Sequence, residues 1–173
     1  METTKNIMPE YNNTFFEKLK NYLDTKIYFF GSVQRDDYFQ KGSDIDVAIF
    51  TDNIKSTITK LQSFLNVSAN EFKTFVWRLN SNNSLVKGYK IIHKEPENDF
   101  LVEFSIYEEK YKDGILEEHN VKSVLPFYAT WLLITIKFLF YTLHLLPSSW
   151  YIYLKNIIFT KLIFLKEDDF VVF

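Results

Sequence analysis

Two aspartates one residue apart, Asp44 and Asp46, head an otherwise apolar run, DIDVAIF, at residues 44–50. The apolar and β-branched residues make this run a strand. Alternate side chains of a strand share a face, so Asp44 and Asp46 point one way and Ile45 and Val47 the other. Aspartate is depleted in strands, and two adjacent carboxylates repel each other unless a cation lies between them. Such local violations gather at functional sites. The chain is therefore expected to build a sheet with a site on one face.

A second short strand, KIYFF at 26–30, ends at Gly31-Ser32. Gly31 has no Cβ, so an anionic group can come close to the backbone there. The N–H groups of a helical turn from Ser32 to Asp37 would then face a phosphate. Hard divalent cations take oxygen ligands, and magnesium uses one or two protein carboxylates together with substrate phosphates. One strand end would hold metal and the neighbouring turn would hold phosphate.

The remaining elements follow from periodicity. Helices are expected at 11–24 and 53–66, and strands at 72–79, 85–94 and 100–108. The run 123–146 is apolar enough to raise a membrane reading. Its Thr130, Lys137, Tyr141 and His144 fall on one stripe, which favours a bundle helix with a polar face. A final helix is expected at 150–166. The order points to an α/β (α+β) fold, a mixed sheet with flanking helices and a C-terminal helical region. Residues 1–120 would be the core and 121–173 the other wall of a cleft.

The formal net charge of −2 gives no basic field, so extended nucleic-acid binding is not expected. The absence of cysteine excludes disulfides and thiolate metal sites. The N-terminus has no signal layout, so a cytoplasmic location is expected. His93, His119 and His144 lack metal-ligand spacing and read as surface or packing residues. The runs 94–99 and 108–114 read as solvated loop or helix faces. No Walker A, nucleophile elbow or zinc pattern is present.

Gly31-Ser32, eleven intervening residues and then Asp44-Ile45-Asp46-Val47 resemble the signature of the nucleotidyltransferase superfamily that includes DNA polymerase β and poly(A) polymerases. Arg35 and Ser43 sit where many small members carry Arg and Ser. Asp36 stands where the fuller form often has Gly. The resemblance implies a third carboxylate on a later strand. Glu103 in FLVEFSIY is the best match, with Asp99 as the runner-up. It further implies two Mg2+ (or Mn2+) ions held by Asp44, Asp46 and Glu103, and transfer of NMP from an NTP, ATP foremost, to a hydroxyl acceptor. Gly31, Ser32, Arg35 and Ser43 would bind the nucleotide. Lys137 would meet the triphosphate from a C-terminal helix, and Tyr141 would stack on the base. The acceptor would be a small molecule, a nucleotide, a protein or an RNA end. No membrane is expected, and the C-terminal helices would offer a surface to a protein partner or a second copy. The alternative is a catalytically degenerate member that binds a nucleotide or a partner.

Overall fold

The computed structural model describes residues 1–40, 42–163 and 169–172. Helices α1 (Glu10–Leu23) and α2 (Ile54–Leu65) form where apolar residues recur at helical spacing, and they bury Phe16, Leu19 and Leu23, and Leu61 and Leu65, respectively. Asn53 caps α2 by accepting the Ser56 N–H at 3.0 Å.

Strands β1 (Ile27–Phe30), β2 (Ile45–Thr51), β3 (Lys73–Arg78), β4 (Leu85–Glu95), β5 (Phe100–Glu108) and β6 (Asp169–Val172) form one sheet in the order β1-β2-β5-β4-β3-β6. The β2–β5 pair is parallel and the others are antiparallel, so the sheet is mixed as expected. On one face Val47, Ile49, Val102, Phe104 and Ile106 pack with α1 and α2 in the main core. The other face carries Asp46, Glu103 and Ser105, followed by a second core of Phe50, Phe75, Trp77 and Tyr107. Ile115 of helix α3 (Lys112–Ser123) covers that core.

The C-terminal region departs from expectation. The run 123–146 is not one helix. Pro126 breaks it, and its carbonyl accepts the N–H groups of Ala129 and Thr130 at the start of α4 (Phe127–Lys137). Helix α4 continues as a π-turn through Thr142. Within the stripe read as a polar face, Lys137 is only 3% exposed, Thr130 and Tyr141 are half-buried and His144 is exposed. His144 lies beyond the helix in the left-handed conformation.

Helix α5 (Ser148–Ile157) starts two residues before the expected position and runs through a π-turn to Leu162. The last three residues of the expected helix, 164–166, lie outside the described residues. Helices α4 and α5 share a small core of Ala129, Leu133, Ile136, Tyr151 and Ile158. Neither α3 nor β6 was expected. Among the described residues no single helix is long and apolar enough to cross a membrane, and the α3–α4 pair is bent by 82°.

Candidate active site

The parallel register of β2 and β5 sets Asp46 directly beside Glu103, and the antiparallel register of β1 and β2 sets Phe30 beside Asp46. Asp44 immediately precedes β2. Together these acids line a cavity of about 650 Å3 with Gly31, Ser32, Arg35 and Lys137. The cavity thus gathers seven of the nine residues expected from the sequence. Ser43 and Tyr141 stand behind its wall. Ser43 Oγ accepts the Phe39 N–H at 3.2 Å, and the Tyr141 ring packs on Gly42 and against Tyr151.

Gly31 has a structural role that the sequence reading did not give it. Its φ is +66°, and a Cβ there would lie 1.8 Å from Asp46 Oδ2. The space a side chain would fill holds the Asp46 carboxylate. Gly31 opens a 3-10 turn, Gly31–Gln34, which closes with the Arg35 N–H donating to the Ser32 carbonyl at 2.9 Å. The turn is tied down from outside, because Asn6 Nδ2 donates to the Val33 carbonyl at 3.0 Å and to the Arg35 carbonyl at 2.6 Å. Ser32 Oγ is buried and has no hydrogen-bond partner among the described residues. An orphaned buried hydroxyl is costly unless a ligand or water completes it.

Burial, then the Asp44 charge, then the Glu103 charge push the Asp46 carboxyl up to about 7, while Lys155 and Arg35 act in the opposite direction. Three crowded acids favour a bound cation. Among the described residues no group of three or more His, Asp or Glu is arranged to hold a metal by itself. The set nevertheless fits a magnesium-type ion, which draws most of its oxygen ligands from water and substrate phosphate. Glu103 has a protein neighbour of its own, Lys90 Nζ at 3.6 Å.

The opposite wall is cationic. Arg35 Nε and Nη2 donate to Asp37 at 2.7 and 3.1 Å, and Lys137 Nζ is 2.8 Å from Asp37 Oδ2. Burial pushes the Asp37 carboxyl up, but the Arg35 hydrogen bonds and the two cations outweigh it and hold the pKa below the usual carboxylate value. Burial works against the Lys137 ammonium as well and lowers its pKa, with Asp37 opposing. Nζ meets the Asp37 carboxylate, the Asp37 carbonyl at 2.8 Å and Ser43 Oγ at 3.5 Å, so we describe it as an ammonium facing an ionised Asp37.

Sequence reasoning missed Asp37, Asn6, Tyr151 and Lys155. Tyr151 and Lys155 are four residues apart on α5 and both line the cavity, so their spacing was a usable signal. Nothing in the sequence paired Asp37 with a lysine 100 residues away.

A mixed sheet with a Gly-Ser turn beside an acid pair defines the nucleotidyltransferase class. The family model for the nucleotidyltransferase domain matches residues 13–173, from α1 to β6, and the chain belongs to that family. Transfer of a nucleoside monophosphate is the general chemistry of this domain, and divalent metals are its usual cofactors. A search of curated proteins finds no match to the chain.

Proposed function

We propose that the chain is a metal-dependent nucleotidyltransferase that moves NMP from an NTP, ATP foremost, to a hydroxyl acceptor and releases pyrophosphate. One observation carries this reading: the buried, partnerless Ser32 hydroxyl sits on the turn whose glycine abuts the Asp46 carboxylate. An anion-seeking donor and a cation-seeking acid therefore adjoin, as an NTP with its metal requires.

Asp44, Asp46 and Glu103 are the residues that would hold divalent ions. When bound, such ions supply Lewis acidity at the phosphates and lower the pKa of the acceptor hydroxyl. Ser32 and the turn N–H groups bind the β- and γ-phosphates, with Arg35, Lys137 and Lys155 supplying positive charge along the same wall. The acceptor hydroxyl gives its proton to water, its oxygen forms a bond to the α-phosphorus as the bond from that phosphorus to the bridging oxygen of the β-phosphate breaks, and pyrophosphate leaves with the negative charge. Helices α4 and α5 form the second wall, through Lys137, Tyr151 and Lys155.

The proximity of Lys90 to Glu103 favours a second reading, a member that binds nucleotide without turnover. The two readings separate on Glu103→Gln. With α-labelled NTP, Mg2+ and a panel of hydroxyl acceptors, a transferase moves label to an acceptor. Glu103→Gln is expected to lose that transfer by about a hundredfold or more while still binding NTP. A wild type that binds NTP and labels nothing in the panel supports the degenerate reading.

A further inference from the structure

The loop between the Gly31-Ser32 turn and Asp44 holds an acid that takes no part in holding metal. Asp37 has no exposed surface. Its carboxylate grips the Nε and Nη2 edge of Arg35 at 2.7 and 3.1 Å and lies 2.8 Å from Lys137 Nζ. Arg35 and Lys137 are themselves buried, and both line the cavity, with Asp37 behind them. The Arg35 guanidinium is further fixed over the Phe159 ring, 5.5 Å from its centroid. Two cations share one anion, which leaves this cluster with one net positive charge on the wall of the cavity that Asp44, Asp46 and Glu103 also line. A buried charge in excess is unfavourable until a counter-ion arrives. The partnerless Ser32 hydroxyl is on the same wall.

We propose that Asp37 is a positioning residue for the nucleotide's polyphosphate, holding Arg35 and Lys137 as a preassembled pair of cations whose excess charge the polyphosphate completes. The proposal rests on the reading of this cavity as an NTP site. A guanidinium has five N–H donors, and Asp37 engages it along one edge, which fixes its orientation. Arg35 comes from the core loop and Lys137 from α4, so the same carboxylate ties the second wall to the first. Without it, two like charges would face each other in a buried space, and neither would keep its place.

The test is calorimetric titration of inorganic tripolyphosphate into the wild type and Asp37→Asn, well below each melting temperature. The wild type is expected to bind, and a folded Asp37→Asn to bind about tenfold or more weakly, the size of one lost charged hydrogen bond. A lowered melting temperature with unchanged tripolyphosphate affinity would mean a purely structural role and would overturn the proposal. If Asp37→Asn does not fold, Arg35→Gln and Lys137→Met carry the test. Each single change takes the trio from one net positive charge to none, so each should weaken tripolyphosphate binding about tenfold or more. Wild-type affinity in either folded single variant would overturn the proposal. A folded wild type that binds neither tripolyphosphate nor any NTP overturns the NTP-site reading, and the role of Asp37 falls with it. Wild-type binding that Asp37→Asn leaves intact overturns the role of Asp37 alone.

Discussion

Gly31 is the residue on which the geometry of the acid pair turns. Its left-handed backbone would cost any other residue about 1–2 kcal/mol, and a Cβ would strike the Asp46 carboxylate at 1.8 Å. Gly31→Ala is therefore expected to lose at least about 1–2 kcal/mol of stability in urea unfolding. It should also lose Mg2+-dependent NTP binding, because Asp46 must move. Asp44, Asp46 and Glu103 were legible from the sequence because strand alternation is a local rule. Asp46 and Glu103 each sit between neighbours that face the main core, so their side chains take the opposite face. The position of Gly31 was legible too, but its contact with Asp46 was not. Its neighbour across the strand pair is set by register, and the sequence does not state register.

At the scale of elements, the less legible parts are those fixed by distant partners. Helix α3 has few apolar residues to mark it, and it docks through Ile115 and through His119, whose ring stacks on Phe30 of β1 at 3.8 Å. Burial, with Lys122 adding to it, depresses the His119 pKa to about 3. The folded value lies below the unfolded one, so the stabilising contribution is complete above about pH 6.5. It is lost as the pH falls from there toward about 3, because only the unfolded chain takes up the proton. The loss approaches about 1.4 kcal/mol per pH unit. Urea midpoints measured from pH 7 to pH 4 should fall more steeply for the wild type than for His119→Gln. Parallel curves would show that α3 does not bury this ring. Strand β6 was unreadable for a similar reason. Four residues, DFVV, carry no turn signal and gain their identity only by pairing with β3.

At the scale of the whole molecule, a chain of net charge −2 sorts its charges around one cavity. Asp44, Asp46 and Glu103 lie on the sheet side, and Arg35, Lys137 and Lys155 on the side of the turn and the C-terminal helices. The mixed sheet and its helices were predictable from periodicity up to residue 108. The second wall and its Lys137 were expected through the family resemblance, but the Asp37 that lies beneath Lys137 was not. Opposed acids and cations are what the proposed substrate, a phosphate with its divalent ion, would require.

The most direct measurement is calorimetric titration of each NTP, with and without Mg2+, into the wild type and the Asp44→Asn/Asp46→Asn double variant. The wild type is expected to bind at least one NTP only when Mg2+ is present. The folded double variant should bind at least about 10–100-fold more weakly, the scale on which even supporting residues of metal sites act. Binding that ignores Mg2+, or that survives loss of both aspartates, would contradict the assignment of this cavity as a metal-dependent nucleotidyltransferase site.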